Sequence, residues 1–204
     1  MYADIVFPNG NEYEFIRMAS RLGIKKIYFA YEPEHAEKMI KGKKYGVIEN
    51  DNVRVEIAII VNWKNANKAK RFSKKLVVKS SEKAREFIDG KKADIIYGFE
   101  EFFKKDFLLQ RASGLNHSLC ELARNKNVSI GFNYSSLIGK RSDVLPKTIG
   151  RMIQNIRLCE KYGARAIIAS FSSEPFMLRP HFDVMNLFSF LGMSRPKVKN
   201  SLEF

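Results

Sequence analysis

The chain has 204 residues, 45% hydrophobic and 12% aromatic, which suffices to bury one large core as a single globular unit, residues 1–204, without metal or disulfide support. Against 22 Asp and Glu stand 36 Lys and Arg, a formal charge of +14, so a polyanion is the favoured partner and a merely solvated lysine-rich surface the alternative. Only two cysteines, no apolar run of about 18 residues and an N-terminus, "MYADIVFPNG", without a basic leader argue against a disulfide scaffold, a membrane span and secretion, and for a reducing, soluble compartment.

In chain order, short β-branched runs alternate with amphipathic stretches. "ADIVF" (3–7) predicts a first strand, and Glu14, Phe15, Met18, Ala19 and Leu22 recur at helical steps up to a capping position at Gly23. "IKKIYFA" (24–30), "VRVEIAIIV" (53–61) and "KLVVK" (75–79) read as the next strands. "SSEKAREFIDG" offers Ser80 or Ser81 as a helix cap and a closing glycine, followed by the strand "DIIYG" (94–98). "GFEEFFKKDFLLQR" interleaves Phe99, Phe102, Phe103 and Phe107 with charges, either a helix packed on the core or an exposed patch for another protein. In "SGLNHSLCELARNKN" Ser113 is placed to cap a helix, with Asn116 bonding back, and Leu115, Leu119, Leu122 and Ala123 form its buried stripe. "VSIGF" (128–132) is a strand, and residues 143–162 carry Leu145, Ile149, Met152, Ile153, Ile156 and Cys159 on one face of a long helix. "RAIIAS" (165–170) closes the series, and the last few residues are expected to fray.

Strand followed by helix about seven times implies a parallel sheet covered by helices. "FPNGNEYEF", after the first strand, has neither the dinucleotide fingerprint nor the Walker lysine, which favours a barrel over an open doubly wound sheet. At this length the barrel is expected to be compact or distorted. Its working positions would be the strand ends, at Asn9, Tyr31, Glu32, Asn62, Ser80, Ser81, Phe99, Glu100, Asn133, Tyr134, Ser172 and Ser173.

That set is short of metal ligands. The three histidines, His35, His117 and His181, form no paired motif, and Cys120 lies mid-helix on an apolar face without a base at fixed spacing. The segment "NWKNANKAKRFSKKLVVK" (62–79) holds seven cations and no acid, so phosphate binding stands beside a solvated helix as its explanation. His117, one step inside its helix, is disfavoured there as a cation; it reads as a loop-and-helix organiser or an RNA contact, with a general-base role third.

Two stretches, "QRASGLNHSLCELARNKNVSIGF" and "MLRPHFDVMNLFSFLGMSRPKVKNSLEF", resemble the archaeal and eukaryotic ribonuclease P protein component 3 family, through SGLNHxL, RPxxDVxxL and a terminal LGM…K…SL in that order. The resemblance implies a distorted TIM-like barrel, about seven parallel strands surrounded by helices, serving the RNA-containing endoribonuclease that matures the 5′ ends of precursor tRNA. It implies that this chain is not itself catalytic and binds no cofactor, the RNA subunit using Mg²⁺. The implied partners are ribonuclease P RNA, precursor tRNA and other protein subunits, notably the small ferredoxin-like one. The implied location is cytoplasmic for an archaeal-type protein and nuclear or nucleolar for a eukaryotic one.

Resemblance and charge together assign RNA contacts to Arg111, His117, Arg124, Lys126, Lys161, Arg179, Lys197 and Lys199, joined by Lys68 and Arg71 of the basic segment. The competing class is a free-standing metal-dependent phosphoesterase of the polymerase-and-histidinol-phosphatase type, to which the family is similar in fold. The first strand here lacks that type's paired histidines.

Overall fold

The computed structural model describes residues 1–41, 53–62, 65–69, 75–139 and 143–204. Seven strands follow one another in chain order: β1 Ala3–Val6, β2 Lys26–Tyr31, β3 Arg54–Ile60, β4 Leu76–Lys79, β5 Ile95–Tyr97, β6 Ser129–Asn133 and β7 Ala166–Ala169. All neighbouring pairs are parallel, and each of the seven runs read as strands from sequence forms one. Around them lie helices α1 Glu12–Arg21, α2 Pro33–Lys41, α3 Ala66–Ala69, α4 Ala84–Asp89, α5 Phe99–Phe102, α6 His117–Lys126, α7 Leu145–Tyr162, α8 His181–Phe190 and α9 Arg195–Leu202. Among the described residues no helix is long and apolar enough to cross a membrane.

Period-two alternation divides each strand between two cores. Ala3, Ile5, Tyr28, Ala30, Ala58, Val77, Ile95, Tyr97, Ile167, Ala169 and Phe171 fill the barrel interior. Val6, Ile27, Phe29, Val55, Ile59, Val78, Ile96, Ile130, Phe132 and Ile168 face the helices and bury their apolar stripes. At the C-terminal end of the strands Tyr97 and Phe171 stack at 4.3 Å, with Phe7 5.6 Å from the Tyr97 ring. Gly131 makes this possible: a Cβ there would lie 2.7 Å from Tyr97 Cβ and 3.0 Å from Phe171 Cζ. The barrel is thus a packed core, not a ligand cavity.

Closure occurs between β1 and the residues after β7. Phe171 donates its amide to the Ile5 carbonyl at 2.9 Å, and Phe7 donates to Ser172 at 2.8 Å. Phe171 adopts φ +45°, a left-handed bend that breaks the regular ladder. The Asp4 carboxylate, fully buried, repairs the break: Oδ1 accepts from the Ile5 amide at 2.7 Å and from the Ser170 amide and hydroxyl at 2.7 and 2.9 Å, and Oδ2 accepts from the Tyr134 hydroxyl. Tyr134 and Tyr2 in turn bond the Arg179 backbone, so the clasp fixes the loop leading to α8.

The C-terminal residues, expected to fray, are docked. They form α9, and the Phe204 ring stacks on Tyr28 at 5.9 Å and packs against the interior core from below, where Lys75 Nζ lies over both rings. The apolar end of the tail supplies the floor that short interior side chains leave open.

Three local expectations are corrected. Ser113 does not cap α6; Asn116 does, accepting from the Leu119 amide at 2.9 Å, because it is the residue directly before the first helical turn. Ser80 does not cap α4; Ser81 Oγ accepts from the Lys83 amide at 3.3 Å in the turn that leads into it, the helix itself starts later with Lys83 at the cap position, and Gly90 closes it as expected, with Lys91 turning left-handed beyond. The phenylalanine-rich segment makes only the single-turn α5: Phe99 enters the core, whereas Phe103 and Phe107 are exposed together with Leu108 and Leu109.

Burial pushes the Asp4 carboxyl up to about 6, its four hydrogen bonds offsetting only part of the desolvation. Its folded value lies above the unfolded one, so the folded state holds the proton longer. Stability associated with Asp4 is therefore present at low pH and lost as pH rises from about 4 to about 6, on the order of 3 kcal/mol. Asp4→Asn keeps the acceptor for Ile5 and Ser170 and presents an amide to Tyr134. Urea unfolding across pH 4–7 is expected to show that segment in the wild type and not in Asp4→Asn; parallel curves would contradict it.

Candidate nucleic-acid interface

Several of the strand-end positions expected to work, Asn62, Asn133, Tyr134 and Ser172, are engaged in building loops. Asn133 Oδ1 accepts from Ser135 Oγ at 2.9 Å and from the Ser136 amide at 3.2 Å, closing the turn after β6. Ser172 accepts from the Glu174 amide at 3.0 Å, Asn62 and Asn65 bond each other's amides, and Tyr134 is held by Asp4. The Glu100 side chain is buried under α7. Among the described residues no group of three or more His, Cys, Asp or Glu side chains comes together to hold a metal ion.

A basic surface forms instead along α6 and α7. Residues 103–116 run as a strap beside α7, held by its buried polar face. Arg151 donates to the carbonyls of Glu100 and Phe103 at 3.1 and 2.6 Å and to Asp106 at 2.7 Å, and Asn155 donates to the Ser113 carbonyl at 2.9 Å. The Ala112 amide and Arg151 hold the Asp106 carboxyl below its ordinary value. Gly114 turns the strap at φ +82°, where any Cβ would lie 2.5 Å from the Phe99 carbonyl oxygen. The strap delivers Asn116 and hence His117 to the flank of α7.

There the predicted residues converge. The exposed His117 ring lies 6.0 Å from Tyr162, with Nε2 3.2 Å from Ser118 Oγ. Lys161 Nζ is 5.5 Å from the same tyrosine ring, and Arg124 packs its Cδ against the backbone of Gly163, the left-handed cap of α7. Tyr162 thus has His117 and Lys161 beside its ring and Arg124 at the neighbouring Gly163, an aromatic side chain with exposed donors close by.

Other predicted contacts lie elsewhere. Arg111 is exposed but laid across Gly150, higher on α7. Lys126 pairs with Asp89 at 3.2 Å and Lys197 with Glu160 at 3.6 Å, while Lys199 is exposed on α9. Arg179 is folded back on its own turn, one guanidinium nitrogen donating to the Phe176 and Leu178 carbonyls at 2.7 Å each. The side chain of Lys68 and all of Arg71 lie outside the described residues.

Sequence reasoning missed Tyr162 and Arg165. Arg165 reads as part of a strand in sequence, yet it directly precedes β7 and is exposed at the foot of the barrel in the α7–β7 turn. Burial, with the fields of Lys26 and Arg165, lowers Lys75 to about 8, and Glu56 and Asp94 offset part of that fall. The signal available in sequence was "EKYGARA", with two cations, Lys161 and Arg165, flanking a tyrosine and a glycine.

Over this frame, the family model described as RNase P subunit p30 matches residues 11–203. The chain belongs to that family. Two ribonuclease P protein component 3 chains are similar to it: that of Methanothermobacter thermautotrophicus at 28% identity over 46% of this chain, and that of Thermococcus kodakarensis at 29% over 45%. The matched stretches span 38% and 41% of those relatives' own lengths. A chain in the cryo-EM structure of an archaeal ribonuclease P with mature tRNA shares the fold, with TM-score 0.73 and 17% identity over 98% of this chain and 87% of that one. In this p30-family barrel the basic surface stands on the helical flank, away from the strand-end mouth closed by Phe7, Tyr97 and Phe171.

The geometry at Asn116 sets a test of how His117 is positioned. Asn116→Ala is expected to cost about 1 kcal/mol of unfolding free energy by loss of the cap. Ser113→Ala, losing only a 3.5 Å bond to the Leu115 carbonyl, is expected to cost less. Chemical denaturation of both variants would contradict the assignment if the order were reversed.

Proposed function

We propose that this chain is a protein subunit of ribonuclease P that binds and supports the catalytic RNA during maturation of the 5′ ends of precursor tRNA. The observation that carries the reading is family membership across residues 11–203. Hydrolysis in this reading belongs to the RNA subunit with Mg²⁺, and the chain contributes binding and bracing. The +14 charge, the gathering of His117, Lys161 and Arg124 at Tyr162 and Gly163, and the likeness in fold to a chain of an archaeal ribonuclease P with mature tRNA support it.

A second protein subunit, of the small ferredoxin-like kind, completes the proposal. Two exposed apolar surfaces suit a protein partner better than RNA: the strap tip with Phe107, Leu108 and Leu109, and Phe182 and Phe190 of α8 with the neighbouring Phe176.

Binding through lysine and arginine releases counterions. With about four phosphates neutralised, affinity for structured RNA is expected to fall on the order of 10²-fold between about 50 and 200 mM salt. Arg124→Ala and Lys161→Ala are each expected to shallow the log–log slope by about one. Filter binding of the purified chain to ribonuclease P RNA measures both, and affinity independent of salt would overturn the electrostatic basis of the proposal.

A further inference from the structure

Below the basic flank, a cavity of about 390 Å³ opens between the C-terminal end of α7, the turn into β7 and α9. We infer that this cavity receives one unpaired nucleotide of the bound RNA, its base entering between α7 and α9 and its phosphate resting on Arg165. The inference rests on the RNA-binding reading above and deepens it.

The volume falls in the roughly 300–1,000 Å³ range of small-ligand sites. Its inner wall is apolar and rich in sulfur, from Ile156, Cys159 and Met193, all buried, and polarizable sulfur packs well against a flat aromatic ring. Its rim is polar: the exposed Asn200 supplies an amide able to donate to and accept from a base edge. The acids at the rim are already engaged. Glu160 pairs with Lys197 at 3.6 Å and accepts from the Ser194 amide at 3.3 Å, and Glu203 pairs with the N-terminal amine at 2.9 Å. Arg165 makes no ion pair among the described residues, and its planar donor fork suits a phosphate.

Position supports the same occupant. Gly163 lines the cavity on one side and carries the Arg124 side chain on the other, so a strand tracking Arg124 and Lys161 reaches the mouth directly. Unpaired bases are commonly recognised by being splayed into such pockets and bonded along their edges. A protein segment is the poorer fit, because the exposed apolar surfaces suited to one lie on the strap and on α8.

The test uses the full chain labelled with ¹³C at its methionine methyls, since Met193 lines the cavity. The 5′ monophosphates of adenosine, guanosine, cytidine and uridine are titrated separately, with inorganic phosphate as a control, up to about 10 mM, a range that detects millimolar binding. At least one nucleotide is expected to shift the Met193 signal, and phosphate alone is not. Arg165→Ala is expected to weaken that nucleotide roughly tenfold. The exposed Asn200→Ala, which leaves the core untouched, is expected to weaken it by a smaller factor.

No Met193 shift with any nucleotide, or an equal shift with phosphate alone, would overturn the inference. Filter binding of ribonuclease P RNA to the same samples separates the causes: RNA bound without nucleotide response sinks the pocket alone, and RNA unbound sinks the reading beneath it. A Met193 shift produced only by a protein subunit would assign the cavity to a protein contact and also overturn it.

Discussion

The barrel depends on one buried carboxylate. A seven-stranded sheet closes only if β1 meets β7, and here the meeting line is broken by the left-handed bend at Phe171. Two backbone amides at the break, those of Ile5 and Ser170, are bonded by Asp4. Left unbonded in a dry interior, each would cost about 1–3 kcal/mol. The bend has a use: it turns Phe171 inward onto Tyr97, and the two rings with Phe7 fill the mouth. Closure and filling are therefore one event, and the same Asp4–Tyr134 bond anchors the backbone at Arg179.

A filled mouth leaves the helical flank as the surface where exposed cations gather. In barrels that act as enzymes the strand-end loops converge on substrate. Here Asn62, Asn133 and Ser172 build turns, and Phe7, Tyr97 and Phe171 fill the mouth. The long helix α7 takes over as organiser. Its buried face is partly polar, with Thr148, Arg151 and Asn155, because it must satisfy the backbone of an irregular strap as well as pack on the sheet. Its C-terminal end, where unsatisfied carbonyls favour positive charge, gathers Lys161, Arg124 and Arg165.

Much of the fold was legible because β-branched runs and helical stripes obey local periodicity. "ADIVF", "VSIGF" and "RAIIAS" announce strands, and the stripe from Leu145 to Cys159 announces α7. What escaped depends on neighbours distant in sequence. Asp4 looks like an ordinary residue in a strand until Ser170 and Tyr134 are brought to it. Arg179 and Arg111 carry charge that sequence shows, but their contacts, to the Phe176 and Leu178 carbonyls and across Gly150, depend on the fold. The mixed apolar and charged strap offered two readings, and only its anchoring by Arg151 explains why Phe103 and Phe107 stay exposed while Phe99 is buried. His117, the residue that first suggested a site, stands exposed beside Tyr162 and directly follows the cap, a placement that only the folded strap reveals.

The central claim is that this chain supports RNA-based catalysis from its helical flank. The most direct measurement is precursor-tRNA cleavage reconstituted from the cognate catalytic RNA, its other protein subunits and Mg²⁺, with the chain present, absent, or carrying Arg124→Ala together with Lys161→Ala. The account predicts that cleavage depends strongly on the chain, falls with the double variant, and is absent with the chain alone. Cleavage unchanged by omitting the chain, or cleavage by the chain without RNA, would contradict it.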